Sequence, residues 1–335
     1  MQQKFIISKK RKCCENGKDM NMKFYFAPME GITTFLYRNA HAKYFAGVDQ
    51  YFTPFLMPNQ KRIFRTRELQ DVLPEHNQGV HLVPQILTKK PEEFIKTAKE
   101  LQKMGYDEVN LNVGCPSKTV VSKGKGSGFL NHLEELDEFF MEIFDKLDMK
   151  ISVKTRVGMY SESEFGEILE IYNKYPISEL IIHPRVQKDF YSGKPYINTF
   201  SKAVKDSSNE VCYNGDITSV DDFQKLRKKF PQVHAFMIGR GLLYNPALIR
   251  QIKGGPALSK EELLKMHNQI YEAYKGYVSG EKNVLFKMKD FWSNPVKLFT
   301  NYEKYAKKIK KAQNLKSYEQ AVDALVSEQE IREAL

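Results

Sequence analysis

The chain has little cysteine, one tryptophan and no long apolar run. Its four cysteines in 335 residues include no Cys-x-x-Cys spacing. This argues against a cysteine-bound metal or a dithiol redox centre, so we expect no metal site. A low cysteine content also favours a reducing compartment, the cytoplasm. No segment approaches the roughly 20 consecutive apolar residues of a membrane-spanning helix, so we expect a soluble protein with no membrane partner.

Positive charge is in excess: 52 Lys and Arg against 41 Asp and Glu give a net charge of +11. Such an excess either keeps a protein in solution or attracts a polyanion such as RNA, and the positions of the charges distinguish the two. The basic residues form three clusters, which favours RNA as the partner. The clusters are Lys61, Arg62, Arg65 and Arg67; Lys118, Lys123 and Lys125; and Lys304, Lys307, Lys308, Lys310 and Lys311, interleaved with Tyr302 and Tyr305.

Residues 1–22 are basic and contain only one short apolar patch, at residues 5–7. The charges follow this patch, whereas a secretory signal has its charges before a longer apolar core, so the segment does not match a signal peptide. We expect either a disordered basic extension or a start assigned too far upstream, with Met20 or Met22 as the initiator. Ordered structure is predicted from Lys23.

Eight strand-like apolar runs alternate with amphipathic helical segments between residues 23 and 255. This alternation predicts a parallel sheet covered on both faces, and eight strands can close into a (β/α)8 TIM barrel. An open, doubly wound sheet is the competing fold, but the first strand lacks the Gly-x-Gly-x-x-Gly turn of dinucleotide-binding folds. We therefore predict an α/β barrel over residues 23–255. The predicted strands are 24–29, 50–55, 81–87, 107–113, 150–156, 179–183, 210–214 and 235–239.

The pattern changes after Gly254-Gly255-Pro256. Ser259, followed three residues later by Glu262, forms the pattern of a capping box, which marks the start of a helix. Helical spacing of apolar residues continues to the end of the chain, including 286–299 and 318–335, and no strand-like run follows. We predict a small C-terminal all-helical domain over residues 257–335.

Polar residues and glycines recur where the predicted strands end, and these ends form the active site of a TIM barrel. Cys115 is the most informative, because Gly114 and Pro116 flank it and a glycine-rich loop at 124–128 follows. A buried structural cysteine needs no such flanking residues. The setting predicts a thiol that is presented to a pocket.

Other strand ends carry groups that suit an anionic ligand. Lys154 lies within its strand, where a charge is costly unless it binds an anion. His183 and Arg185 share one side of an extended segment, which favours an anion or a ring as ligand. Asn214-Gly215-Asp216 and Gly239-Arg240-Gly241 follow strands seven and eight, where barrels commonly bind phosphate.

Six short motifs follow one another between residues 27 and 241. They are Ala27-Pro28-Met29-Glu30-Gly31-Ile32-Thr33, Asn112-Val113-Gly114-Cys115-Pro116-Ser117, Val153-Lys154-Thr155-Arg156, His183-Pro184-Arg185, Asn214-Gly215-Asp216-Ile217 and Ile238-Gly239-Arg240-Gly241. In this combination the chain resembles the tRNA-dihydrouridine synthase family over about residues 23–245. Its helical tail is similar to the family's RNA-binding domain.

The resemblance implies an enzyme that reduces the C5–C6 double bond of specific uridines in tRNA, with FMN as cofactor and NADPH or NADH as reductant. We interpret Cys115 as the donor of a proton to C5, because an ordinary thiol is mostly protonated near neutral pH. The target base must be extruded from the folded RNA to reach the pocket. We expect the protein to be a monomer.

The resemblance also implies which residues surround the cofactor and the RNA. Gln85 and Lys154 would contact the flavin ring or the ribityl chain, with His183 nearby. The remaining cofactor residues would be Pro28, Met29, Glu30, Asn214, Gly215, Asp216, Gly239 and Arg240. Contacts with the substrate or RNA are expected from Asn112, Arg156, Arg185, Lys61, Arg62, Lys307 and Lys308.

Three residues depart from the family's pattern. Thr34 stands where Asp is frequent, Pro184 stands where Gly or Ala is frequent, and Tyr244 replaces a common Gly. The changes at 34 and 244 bear on local turns and on substrate selection. None of the three affects Cys115 or Lys154.

Three alternatives remain open. An FMN oxidoreductase of a small molecule, similar to dihydroorotate dehydrogenase, accounts for the flavin residues but not for the basic tail. A dihydrouridine synthase that acts on ribosomal RNA has the same motifs. A non-catalytic RNA-binding protein accounts for the charge but leaves Cys115, Lys154 and the phosphate loops without a role.

Overall fold

The computed structural model describes residues 22–332, so the expectations for residues 1–21 lie outside the described part of the chain. At its centre is one sheet of nine strands, and every neighbouring pair is parallel. The strands are β1 (Lys23–Phe26), β2 (Gln50–Phe52), β3 (Leu82–Val83), β4 (Gln85–Ile86), β5 (Glu108–Val113), β6 (Lys150–Arg156), β7 (Leu180–His183), β8 (Val211–Asn214) and β9 (Ala235–Ile238).

The sheet is a barrel with a break at one point. The strand order is β3-β2-β1-β9-β8-β7-β6-β5-β4, so β3 pairs with β2 and β4 with β5, while Leu56 after β2 forms a single parallel bridge with Ile86 of β4. Only Pro84 separates β3 from β4, and because proline has no N–H it interrupts the ladder of hydrogen bonds. Together β3 and β4 form the predicted strand at 81–87. The TIM barrel and its eight predicted strands are confirmed, with one strand divided in two.

Apolar side chains fill the inside of the barrel. Tyr25, Phe52, Ile181, Cys212 and Met237 belong to one buried cluster there, and a larger cluster joins the strands to the surrounding helices. Strands that are buried on both faces carry apolar residues in near-continuous runs, as these do. Because the interior is filled, the loops at the strand ends provide the space for a ligand.

In the part of the chain that the structure describes, ten α-helices surround the barrel or lie in its loops. Pro91 occupies the first turn of α3, as predicted. The hydroxyl of Ser219 accepts a hydrogen bond from the Asp222 N–H at 3.1 Å and caps α8, also as predicted. The helices are α1 (Phe35–Tyr44), α2 (Thr66–Val72), α3 (Pro91–Lys103), α4 (Lys118–Val121), α5 (Leu133–Lys146), α6 (Phe165–Tyr172), α7 (Ile197–Asp206), α8 (Val220–Lys229), α9 (Arg240–Tyr244) and α10 (Leu248–Ile252).

Four further helices follow: α11 (Lys260–Tyr277), α12 (Glu281–Trp292), α13 (Tyr302–Lys311) and α14 (Leu315–Glu328). The predicted capping box starts α11, since the Ser259 hydroxyl accepts from the Glu262 N–H at 3.1 Å and the Glu262 carboxylate accepts from the Ser259 N–H at 3.1 Å. The predicted helix at 286–299 ends early because Pro295 begins a separate 3-10 turn. The predicted helix at 318–335 ends at Glu328.

The C-terminal helices pack against the barrel close to one of its loops. Helix α11 lies against α1, and the Tyr274 hydroxyl is 3.3 Å from the Thr34 hydroxyl. The Lys287 ammonium donates to the Gly31 carbonyl at 3.1 Å. In residues 22–332, no helix combines the length and the apolar character needed to cross a membrane.

Candidate active site

A cavity opens at the carboxyl ends of the strands. Its empty volume, which includes space open to solvent, is about 880 Å³. Cys115, Asn112, Arg156 and all eleven predicted cofactor residues line it. The cofactor residues are Pro28, Met29, Glu30, Gln85, Lys154, His183, Asn214, Gly215, Asp216, Gly239 and Arg240. The sequence interpretation did not include Ala27, Pro54, Phe55, Gly114, Pro116 and Tyr191, which also line the cavity.

Both backbone polar groups of Cys115 are fixed by hydrogen bonds. The side-chain oxygen of Asn112 accepts from the N–H groups of Gly114 at 3.0 Å and Cys115 at 2.9 Å. The Cys115 carbonyl accepts from the N–H of Ser127 at 3.1 Å and from its hydroxyl at 2.8 Å. The turn after β5 therefore holds the thiol at the wall of the cavity.

Gly126 explains why the loop after Cys115 is rich in glycine. Its φ of +57° suits glycine, and a Cβ added there would lie 2.8 Å from the Cys115 carbonyl oxygen and 3.0 Å from the Cys115 Cβ. A larger residue would displace the cysteine.

A buried row of amides supports Asn112 from within the barrel. Asn112 donates to the Gln85 side-chain oxygen at 2.7 Å, and Gln85 donates to the Asn110 side-chain oxygen at 2.8 Å. Asn110 in turn donates to the Ser152 hydroxyl at 3.0 Å. Asn110 and Ser152 were not predicted, although Asn110 and Asn112 are two apart in one strand and therefore share a face.

The Cys115 side chain is a thiol rather than a thiolate. Burial raises its pKa, and this effect outweighs the opposing effects of a hydrogen bond from the Ser117 backbone and of the positive charges of Lys154 and Arg156. A thiol in this state can donate a proton and is a weak nucleophile.

Lys154 brings a partly buried ammonium group to the cavity. Burial, followed by the nearby charge of Arg156, lowers its pKa to about 8. Among the contacts within residues 22–332, this ammonium has no hydrogen bond or ion pair. A charge that is partly removed from water and has no protein partner is suited to an anionic ligand.

His183 is neutral in this setting. Burial and the neighbouring charges of Arg156 and Lys154 hold its pKa well below the ordinary value. Its Nε2 lies 3.1 Å from the Arg185 guanidinium, which can only donate, so Nε2 accepts and the proton is on Nδ1.

Asp216 bridges two arginines at the ends of β7 and β9. Its carboxylate forms ion pairs with the buried Arg185 and with Arg240, the latter at 2.6 Å. Arg185 also donates to the carbonyls of Ser192 and Gly193. The protein uses these donors of Arg185 for internal hydrogen bonds, and its contact with substrate stays a prediction. Arg240 is partly exposed at the cavity.

Arg156 joins the cysteine turn to the loop after β7. Its guanidinium donates to the carbonyls of Gly114 at 2.9 Å, Val186 at 2.8 Å and Phe190. It also lies 5.5 Å from the centre of the Tyr191 ring, and Arg240 lies 5.4 Å from the same ring. Tyr191 is thus a site residue that sequence reasoning missed, since a loop tyrosine without a strand-end motif carries no signal of its own.

The four remaining predicted RNA residues are not in the cavity. Lys61 and Arg62 are exposed on the segment between β2 and α2, and Lys307 and Lys308 are exposed on α13. Of the two tyrosines interleaved with the α13 lysines, Tyr305 points inward, because it is 1% exposed and its hydroxyl donates to Glu328. Tyr302 is half-buried.

A family model described as dihydrouridine synthase (Dus) matches residues 25–335. The chain belongs to the dihydrouridine synthase family. As a member of this family, it is an oxidoreductase. No cluster of three or more His, Cys, Asp or Glu side chains that could hold a metal ion is found within residues 22–332.

Relatives of this chain are similar to it over most of its length. A probable tRNA-dihydrouridine synthase of Staphylococcus aureus (strain COL) is 29% identical over 262 residues, which are 75% of this chain and 78% of the relative. The tRNA-dihydrouridine synthase B of Pasteurella multocida (strain Pm70) is 28% identical over 292 residues, 82% of this chain and 86% of the relative. A solved structure, histamine dehydrogenase from Rhizobium sp. 4-9, shares the fold with a TM-score of 0.51 at 11% identity, covering 69% of this chain and 45% of that one.

Proposed function

We propose that the protein reduces the C5–C6 double bond of specific uridines in tRNA, using FMN and NADPH or NADH, with Cys115 as the proton donor. The observation that carries this proposal is that the Cys115 thiol, whose pKa is raised by burial, lines the same cavity as the Lys154 ammonium, which has no hydrogen-bond or ion-pair partner within residues 22–332. The family assignment and the names of the relatives support uridine in tRNA as the substrate.

The residues of the cavity suit FMN. The Lys154 ammonium is available for the electron-rich part of the ring, where a nearby positive charge stabilises the reduced form. The partly exposed Arg240 and the backbone near Gly239 suit a phosphate group. A Cβ on Gly239 would lie 3.4 Å from the Ala27 Cβ and 3.6 Å from the Met29 sulfur, so glycine keeps this part of the cavity open.

When bound in its reduced form, FMN would supply a hydride to C6 of the uracil ring. The negative charge that develops toward C5 and O4 is then quenched by a proton from the Cys115 thiol, and the resulting thiolate regains a proton from solvent. Asn112 and Ser127 fix the cysteine backbone during this step. The nearby charges of Lys154 and Arg156 favour the transient thiolate.

The exposed basic residues support RNA as the substrate. Lys61, Arg62, Lys307 and Lys308 are free to contact phosphates outside the cavity. The uridine must leave its stack to enter the cavity, at a cost of about a few kcal/mol, and phosphate contacts can offset this cost. The low cysteine content agrees with the cytoplasm as the place of action.

Two measurements test the proposal. Purified protein should carry FMN, identified by mass after release from the protein. Dihydrouridine mapping in all stable RNAs should show one or more tRNA positions that lose the modification when the gene is deleted and regain it when the gene is restored. Loss of sites in ribosomal RNA only would favour the ribosomal alternative, and no lost site would contradict the proposal.

A further inference from the structure

Three solvent-exposed aromatic residues belong to the segments that follow β6 and β7. Tyr160 is 58% exposed, Phe190 37% and Tyr191 50%. Tyr191 lines the cavity itself, whereas Tyr160 and Phe190 lie outside it. The segment that contains Tyr160 follows β6, and the one that contains Phe190 follows β7.

The two segments are bound to each other. The Gln187 N–H donates to the Gly158 carbonyl at 2.9 Å, and the Lys188 N–H donates to the Met159 carbonyl at 3.3 Å. The carboxylate of Glu164 accepts from the N–H of Tyr160 at 2.9 Å. Tyr160 is therefore held by an ordered backbone while its ring remains mostly in solvent.

The same segments are attached to the cysteine turn. Arg156 donates to the carbonyls of both Gly114 and Phe190, and the Gln187 side chain donates to the Pro116 carbonyl at 3.1 Å. Gly114 and Pro116 flank Cys115 in the chain. The exposed rings consequently keep a defined position relative to the thiol.

Phe190 has an unfavourable backbone conformation. Its φ is +51°, and it is one of two residues other than glycine with positive φ within residues 22–332. The buried Arg156 and a hydrogen bond from the Phe190 N–H to the Gln187 carbonyl at 3.1 Å maintain this conformation. Backbone strain that the surrounding contacts maintain is found mostly at functional sites, so the strain at Phe190 indicates a function for its side chain.

The neighbouring charges indicate what the rings contact. Lys188 and Lys194 are exposed on the segment after β7, and Lys118 is exposed just after the cysteine turn. Aromatic rings among lysines form the usual binding surface for unpaired nucleotides, because bases stack on the rings while phosphates contact the cations. An unpaired RNA segment fits this surface better than a protein partner, which would need a larger apolar area.

We propose that Tyr160 and Phe190 stack against the unpaired bases that flank the target uridine. The inference rests on the proposed function and adds to it a determinant of specificity: RNA whose neighbouring nucleotides can unstack is bound, while a uridine within a continuous helix is not. Tyr191, at the cavity, is left to cover the target base.

Fluorescence of 2-aminopurine, placed on either side of the target uridine in a tRNA transcript, tests the stacking directly. Wild-type protein should quench this fluorescence on binding. Tyr160→Ala and Phe190→Ala should each reduce the quenching at one flanking position and raise Kd by roughly 5- to 150-fold. Tyr160→Phe keeps the ring and should behave as wild type. A matched control, Met141→Ala, removes a side chain that is 61% exposed on α5 and should change neither signal.

A second measurement needs no protein variant. A transcript with an abasic nucleotide at a flanking position should bind to wild-type protein as weakly as the intact transcript binds to the corresponding alanine variant. Normal dihydrouridine formation together with unchanged quenching and unchanged Kd in both alanine variants would overturn this inference alone. If wild-type protein neither binds the transcript nor forms dihydrouridine in it, the proposed function and this inference both fail.

Discussion

The side-chain oxygen of Asn112 accepts a hydrogen bond from the backbone N–H of Cys115 at 2.9 Å. Asn112 belongs to β5, and its amide nitrogen donates to Gln85 inside the barrel. The position of the thiol is consequently determined by a barrel strand and by a buried row of amides, although Cys115 itself lies in a loop.

Asn112→Ala should slow uridine reduction without emptying the cofactor site. The substitution removes the acceptor for two N–H groups at the cysteine turn, and we expect the single-turnover rate to fall roughly 10- to 100-fold as the thiol moves. Asn112→Asp retains the acceptor oxygen but loses the donor to Gln85, so comparing the two variants separates the contributions of these two contacts. Rapid-quench assays of dihydrouridine, alongside FMN content, check this; a wild-type rate for Asn112→Ala would contradict the positioning role.

Lys154 should make FMN binding depend on pH. Its pKa of about 8 means that the ammonium is charged below that pH and neutral above it. Affinity for the flavin should therefore be highest below about pH 8 and fall as pH rises further, with proton uptake on binding above that pH. The Lys154→Met variant should bind FMN more weakly at neutral pH, and its affinity should not fall as the pH rises above about 8. Titration by FMN fluorescence from about pH 7 to about pH 9 measures both.

Asp216→Ala should destabilise the fold. The change leaves the buried Arg185 guanidinium without its carboxylate partner. Because the Asp216 side chain is 39% exposed, we expect a moderate loss of about 1–3 kcal/mol in the free energy of unfolding. Arg240→Ala is the matched control, since it leaves the Asp216–Arg185 pair intact and should weaken FMN binding with little effect on stability. Urea unfolding of the three proteins distinguishes these effects.

Lys307→Ala/Lys308→Ala should weaken tRNA binding in a salt-dependent way. If each lysine contacts one phosphate, the slope of log K against log salt should decrease by about 1 for each residue removed. Lys228→Ala/Lys229→Ala, which removes two exposed lysines from α8 on the outside of the barrel, is the control. An equal effect of both pairs would indicate general attraction and contradict a defined RNA surface on α13.

Much of the fold was predictable because it depends on local patterns. Apolar runs and capping residues such as Ser219 and Ser259 act over a few positions, so the strand count and several helix starts could be predicted. The apolar pattern predicted one strand across Pro84 and one helix across Pro295, and the structure interrupts both. Proline has no N–H, so the regular backbone hydrogen bonds stop there although apolar residues continue.

The site was predictable as a set of residues but not as an arrangement. All eleven proposed cofactor residues line the cavity, because parallel strands bring their carboxyl ends together. The burial of Arg185, the inward direction of Tyr305 and the presence of Tyr191 at the cavity depend on contacts between distant segments. Charge and spacing along the chain do not specify such contacts.

The assignment of Cys115 as proton donor is tested most directly by a single-turnover experiment with Cys115→Ala. The variant is loaded with FMN, reduced with NADPH and mixed with tRNA that lacks dihydrouridine, and the product is measured by mass. We predict normal reduction of the enzyme by NADPH and no dihydrouridine, whereas wild-type protein converts its tRNA and, in D₂O, places deuterium at C5. Dihydrouridine formed by Cys115→Ala at the wild-type rate would contradict the assignment.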